Sequence, residues 1–268
     1  MVERHQRRVR PNLDDAGIDA AVVGTFESYV HYWLESFRLP GTDAATIDAG
    51  FTVDGYEHID AGIDAGKGVI LALPHLGGWE WAGFWLTAIK HLKVSCVAEM
   101  VDPPELADWF IDLRNRFGLE IIPLDSSAGT RSTKALAANH VLCLLCDRDL
   151  SGTGIEVEFF GERTTLPGGP ATIAIRSGAP LLPTGVFFDD DGRHHGVVRP
   201  PIDTSRRGRL REDVTRVTQE LATELETLIR MAPEQWHLLQ PNWPSDHPDA
   251  ASGSPTDPAG RAADEDAS

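Results

Sequence analysis

Apolar residues along this chain gather into short unbroken runs separated by stretches of helical spacing. Residues 68–73, Val94 to Ala98, Leu119 to Pro123, Val141 to Cys146 and Leu181 to Phe188 each form such a run. A run with no polar alternation suits a strand covered on both faces, as in parallel sheets. Between them, residues 78–90, 103–117, 131–139 and 170–177 predict helices, and Gly118 fits a helix C-cap. Residues 211–230 predict a longer amphipathic helix with Val214, Val217, Leu221, Leu225 and Leu228 turned inward. Near the start, residues 14–23 and 25–38 read as two helices, the second carrying Phe26, Tyr29, Tyr32, Trp33 and Phe37 before Pro40 and Gly41 end it. Val53 to Glu57 is a short strand candidate, with a helix over 57–65 closing at Gly66. Gly154 to Glu162 alternates polar and apolar residues like a half-exposed strand, and Gly196 to Pro200 is the last strand expected.

Strand–helix–strand order of this kind predicts an α/β fold with a twisted, mostly parallel central sheet and helices on both faces. Ligands in such sheets bind beyond the carboxyl ends of the strands. His75 falls just past one such end, and Asp147-Arg148-Asp149 just past another. Two separate polar clusters at the same predicted edge place the candidate site there.

With 268 residues, 41% of them hydrophobic, the chain can bury a large core. Net charge is −17, and residues 245–268 hold six acids against one arginine, so that this tail carries −5 and residues 1–244 carry −12. An acidic body excludes general nucleic-acid binding, which needs a basic footprint. Residues 1–244 are expected to form one domain. Ser, Asp, Ala, Gly and Pro dominate residues 245–268, which are expected to be a disordered acidic tail. The first ten residues hold Arg4, Arg7, Arg8 and Arg10, which read either as a frayed terminus or as a local patch for anionic lipid headgroups. No run reaches the ~18 apolar residues of a membrane span, and no signal-peptide pattern opens the chain. Cys143 and Cys146 form a CxxC inside an apolar run without a second cysteine pair, so they read as inert buried thiols and no metal is expected.

The chemistry concentrates in Pro74-His75-Leu76-Gly77-Gly78-Trp79-Glu80. A proline ends the strand, two glycines loosen the turn, and an acid enters the following helix. Imidazole, with an unperturbed pKa near ~6.5, can take a proton from a hydroxyl at neutral pH. Glu80, one turn into the helix, is expected to bend back and orient His75 as a carboxylate partner does. Gly168 and Gly169, ahead of another helix, could present backbone N–H groups to an oxyanion.

These residues resemble the HX4D/E motif of the bacterial lipid A biosynthesis acyltransferases, with the actinobacterial phosphatidylinositol mannoside branch the nearest likeness. Three further blocks agree in order: Tyr32 to Pro40, Asp147 to Leu150 with Gly154 to Gly161, and Pro233 to Pro241. The resemblance implies a glycerolipid-acyltransferase-like fold and transfer of a fatty acyl chain from acyl-CoA, a co-substrate rather than a bound cofactor. The acceptor it implies is a sugar hydroxyl of a membrane glycolipid, met at the cytoplasmic face of the cell membrane by a peripheral enzyme. His75 matches the family's base and Glu80 the acid of its motif. The second acid that the family pairs with the histidine is Glu156, Asp149 or Asp147. Arg114 or Arg116 matches the family's site arginine. Arg148, Asp147, Gly77, Gly78 and Trp79 are the remaining candidate substrate contacts, Trp79 as part of an aromatic helix that could wall an acyl groove. Family members carry a further amphipathic segment ahead of the Tyr32 block. Little chain precedes it here, so either the start is truncated or membrane contact rests on the arginine patch and nearby helices. Two other readings compete: a non-catalytic lipid- or CoA-binding relative, which intact His75 and Glu80 oppose, and a metal-dependent hydrolase using His75, Asp147 and Asp149.

Overall fold

The computed structural model describes residues 1–99, 103–150 and 152–247. Among these, seven strands form one mixed, mostly parallel sheet. They are β1 (Phe51–Asp54), β2 (Val69–Leu73), β3 (Val94–Ala98), β4 (Leu119–Pro123), β5 (Val141–Leu145), β8 (Leu181–Phe188) and β9 (His194–Val198). Their order across the sheet is β1-β9-β8-β2-β5-β3-β4, and only the β8–β9 hairpin is antiparallel. β2 sits at the centre with all five residues buried, which its unbroken Val-Ile-Leu-Ala-Leu run requires.

Alternate residues of β2 feed two cores. On one face Leu71 and Leu73 pack with α5 (Trp79–Ala88) and α6 (Pro104–Arg116), through Phe84, Leu86, Phe110 and Leu113. On the other face Ile70 and Ala72 meet α7 (Ala128–Ala137), α8 (Gly169–Ser177) and α9 (Leu210–Met231). The helix α9 buries Val214, Val217, Leu221, Leu225 and Leu228, the inward stripe its sequence predicts. The α/β architecture with helices on both faces is therefore present. The helices α3 (Ala44–Ala49) and α4 (Tyr56–Asp64) precede and follow β1 in sequence, and α4 leads into β2.

Some local expectations need correction. Residues 14–38 form one helix, α2 (Asp15–Arg38), capped by the Asp14 carboxylate on the Gly17 N–H at 2.8 Å. Gly24 does not break it: the helix runs past Glu234, whose Cγ would lie 3.2 Å from an added Cβ there. A strand missed in the sequence, β7 (Glu162–Leu166), pairs with β6 (Ile155–Phe159) in a separate antiparallel hairpin. The first residues are not frayed. They form α1 (Val2–Val9), whose arginines are engaged within the protein: Arg7 with Glu3 and Asp15, Arg8 with Glu162 and Asp246. Arg10 pairs with Glu234, and Arg4 lies near Asp246. The start of the expected acidic tail also folds, because Pro244–Asp246 is a 3-10 turn with Asp246 buried beneath Arg8. The remainder of that tail, 248–268, lies outside the described residues.

Of the cysteines only Cys146 is buried; Cys96 and Cys143 are half-buried and line the cavity described below. Cys143 faces Cys96 across the β3–β5 pair, and that contact together with burial raises its thiol well above the usual range. Burial does the same to Cys146. One surface feature stands out: Val23, Phe26, Val30, Leu34 and Phe37 are about half exposed along a single side of α2. Among the described residues no helix is long and apolar enough to cross a membrane.

Candidate active site

The site grows out of strand register. β2 and β5 run parallel with Leu73 opposite Leu145. Continuing both chains two residues past that pair brings His75 opposite Asp147. The His75 Nδ1 lies 2.6 Å from Asp147 Oδ1, and its backbone N–H donates to Oδ2 at 3.0 Å. Trp236 Nε1 donates to the same Oδ2 at 2.7 Å, and the Asn242 side chain donates to the Asp147 carbonyl at 3.0 Å.

The Asp147 side chain is fully buried, and burial alone would push its carboxyl up. The His75 charge and the donors on both oxygens outweigh this and hold it below the usual carboxylate range. An ionised Asp147 keeps the imidazole proton on Nδ1 and leaves the Nε2 lone pair available. The His75 side chain is 21% exposed.

The turn after His75 is shaped by packing. Gly77 has φ +59°, and a Cβ on it would sit 2.1 Å from the Val186 carbonyl oxygen, so only glycine fits. Its N–H donates to the Gln235 carbonyl, while Leu76 bridges to Trp236 and His237 N–H donates to the His75 carbonyl at 2.7 Å. A Cβ on Gly78 would collide with the His194 ring. Both glycines therefore let the turn pack against its neighbours, and neither lines the cavity described below.

Glu80 does not orient His75. From the first turn of α5 its carboxylate turns to Arg114 of α6, which meets both oxygens, and Tyr32 donates to it at 3.4 Å. Burial by itself would lower the Arg114 pKa, but the Glu80 charge raises it overall. The same surroundings, burial first and Glu80 second, lift the Tyr32 hydroxyl well above its ordinary value. Sequence proximity misleads here because a helix of fixed hand points residue 80 towards the neighbouring helix rather than back at the turn.

A cavity of about 880 Å³ opens beside His75 and straddles the sheet edge. On the α5–α6 face it is lined by Leu71, Leu73, Leu86, Cys96, Phe110 and Leu119, with Glu80 and Arg114 in its wall. On the other face it reaches Val97, Ala128, Ser132, Leu144, Pro170 and Ile173. Tyr29, Tyr32, Trp33 and Trp79 border it, and the Trp79 ring meets His75 edge-on at 5.8 Å.

Other expected site residues separate. Arg148 and Asp149 line the cavity; Arg148 pairs with Glu99, and Asp149 accepts from Gly154 N–H and the Thr165 hydroxyl. Asp149 thus turns away from the His75–Asp147 pair, so these three do not form one ligand set. Glu156 is exposed on β6 and pairs with Arg163 at 3.2 Å. Arg116 is exposed.

Sequence reasoning missed His237. It lines the cavity, packs on Trp79, and its Nδ1 has no partner while Nε2 meets Ser28 Oγ at 2.9 Å. Burial, then the His75 charge, pull its pKa down to about 3, so the ring is neutral near pH 7. The Pro233 to Pro241 block held the signal, but spacing alone assigned it no role.

A histidine oriented by a buried carboxylate beside a large, mostly apolar cavity is equipped to deprotonate a hydroxyl next to a lipid-like substrate. The chain is also similar to known acyltransferases. The phosphatidylinositol mannoside acyltransferase of Mycobacterium tuberculosis is 41% identical over 238 residues, covering 85% of this chain and 72% of the relative. The enzyme of the same name from Mycolicibacterium smegmatis is 38% identical over 233 residues, covering 85% of this chain and 74% of the relative. The sequence pattern described as bacterial lipid A biosynthesis acyltransferase matches residues 8–245, and the chain belongs to that acyltransferase family.

Proposed function

We propose that this chain transfers a fatty acyl group from acyl-CoA to a sugar hydroxyl of a phosphatidylinositol mannoside-like glycolipid, with His75 as general base. The observation that carries the reading is the 2.6 Å contact between His75 Nδ1 and the buried Asp147 at the rim of the cavity. It is supported by the names of the relatives above.

In this reaction Nε2 of His75 takes the acceptor hydroxyl proton as the oxygen attacks the thioester carbonyl. Asp147 stabilises the imidazolium that forms. The tetrahedral oxyanion needs a donor. The unpartnered Nδ1 of the neutral His237 ring serves as that donor in the tautomer whose Nε2 accepts from the Ser28 hydroxyl. Collapse breaks the C–S bond, and His75 returns its proton to the CoA thiolate. No acyl-enzyme forms, so no serine or cysteine nucleophile is required. The acyl chain occupies the apolar arm between α5, α6 and the sheet.

The glycolipid is met at the cytoplasmic side of the cell membrane, by peripheral contact. The half-exposed stripe Val23, Phe26, Val30, Leu34 and Phe37 supports α2 as the element that touches the bilayer, because Tyr29, Tyr32 and Trp33 of the same helix border the cavity.

The test is incubation with radiolabelled palmitoyl-CoA and membrane lipid extract, with mass spectrometry of the product. Label is expected on an inositol mannoside, and His75→Ala should lower the rate by about 10²- to 10⁴-fold, the usual worth of a positioned base. Binding of palmitoyl-CoA without transfer, or a folded His75→Ala protein with undiminished rate, would refute the proposal.

A further inference from the structure

We propose that His5 and Gln6 of α1 are positioning residues for the base, because together they tether the segment 233–238 that orients Asp147 and His75. The inference rests on the acyl-transfer reading for its effect on rate, and it gives the first ten residues a part in that reaction.

The segment 233–238 meets the site along its length. The Gln235 carbonyl accepts from the Gly77 N–H, the His237 N–H donates to the His75 carbonyl at 2.7 Å, and Trp236 Nε1 donates to Asp147 Oδ2 at 2.7 Å. Its own regular structure is a single 3-10 turn, Pro233–Gln235, so its position is set by what packs on it. The helix α1 holds both ends. Gln6 Nε2 donates to the Pro233 carbonyl at 2.8 Å, and His5 Nδ1 lies 2.9 Å from the Leu238 carbonyl. A carbonyl only accepts, so this Nδ1 carries the proton and donates. Between the two tethers the His5 ring packs on Trp236, with centroids 5.6 Å apart.

These contacts differ from those of a helix that only covers a core. The helix α1 buries Val2, His5, Gln6 and Val9, so half of its buried residues are polar, and His5 and Gln6 are each 1% exposed. Apolar burial is non-directional and tolerates sliding. A buried hydrogen bond fixes distance and direction, because a mispaired polar group there is unfavourable. Gln6 is itself held: it accepts from Arg10 at 2.7 Å and donates to the Thr25 hydroxyl of α2 at 3.0 Å. The tethers therefore fix the segment relative to α2, which borders the cavity. Displacing the segment draws Trp236 away from Asp147 Oδ2, and the carboxylate that orients His75 loosens.

The experiment uses the full chain and two readouts: acyl transfer from palmitoyl-CoA to the glycolipid, and the proton resonance of His75 Nδ1, which reports its hydrogen bond to Asp147 without turnover. His5→Leu and Gln6→Met each remove one tether. In each, kcat is expected to fall about tenfold, the rate equivalent of weakening one hydrogen bond to a charged group. The KM for palmitoyl-CoA should stay unchanged and the Nδ1 resonance should broaden. His5→Asn, whose side-chain NH2 reaches the place of Nδ1, keeps the donor and should stay near wild type in both readouts. Val9→Ala, in the same helix, should lower the urea midpoint and leave kcat and the resonance unchanged. Wild-type kcat and resonance in folded His5→Leu and Gln6→Met overturn the proposal. So does a His5→Asn protein no better than His5→Leu, or a Val9→Ala protein that loses kcat to the same extent. If His5→Leu does not fold, Gln6→Met and His5→Asn decide by the same criteria. A resonance that responds as expected in a chain that transfers no acyl group leaves the positioning role standing and refutes the acyl-transfer reading.

Discussion

Asp147→Asn changes one atom and should remove the base. Oδ2 of Asp147 accepts from the His75 backbone N–H and from Trp236 Nε1, at 3.0 and 2.7 Å, while Oδ1 faces His75 Nδ1 at 2.6 Å. An asparagine in this socket must set its carbonyl oxygen against the two fixed donors. Its NH2 group then faces Nδ1 and can only donate. Nδ1 becomes the acceptor, the ring proton moves to Nε2, and the nitrogen directed at substrate can no longer take a proton. A positioned general base contributes about 10²- to 10⁴-fold to rate, which is roughly 3–5 kcal/mol of barrier. The variant should therefore lose at least about 10²-fold in kcat while the KM for palmitoyl-CoA moves little. Two measurements belong together: kcat near pH 7.5 with palmitoyl-CoA and glycolipid, and the 15N shifts of the His75 ring, which report its tautomer. A folded variant with the proton still on Nδ1 and kcat within a few-fold of wild type would refute the reasoning.

Two other changes read the electrostatics of the site. His237 has a pKa near 3 when folded, against about 6.5 unfolded, so the unfolded chain binds more protons between these values. Wild-type stability should therefore fall by about 2 kcal/mol more than that of His237→Gln as pH drops from 7 to 5; parallel stability curves from urea unfolding would contradict the assignment. Glu80→Gln leaves the Arg114 charge in the cavity wall without its counter-charge and should cost about 3–5 kcal/mol of stability, much of it recovered by adding Arg114→Met. A loss below about 1 kcal/mol for the single variant would mean that Arg114 is solvated without Glu80.

The central strands could be read from sequence because each is an unbroken apolar run, a pattern with few alternative outcomes. β7 could not, since Glu-Arg-Thr-Thr-Leu carries no such run and its pairing with β6 depends on a turn. Gly24 looked like a helix boundary, yet α2 runs through it because tertiary packing overrides a single poor helix former. The terminal arginines looked free because their partners Glu162, Glu234 and Asp246 lie more than 150 residues away in sequence. The edge of the sheet was legible, and so was His75. Which carboxylate holds it was not, because the answer lies in the β2–β5 register, which periodicity does not encode.

The clamp on Asp147 also constrains when the protein can work. Trp236 and Asn242, which fix the Asp147 carboxylate and carbonyl, lie 89 and 95 residues beyond it in sequence. During synthesis, strands β2 and β5 leave the ribosome long before either residue exists. A nascent chain can thus assemble most of the sheet while its histidine is still loosely held. The reactive geometry becomes available only once residues 236–242 have been made, so a product terminated before Trp236 could hold the strands but would lack an oriented base.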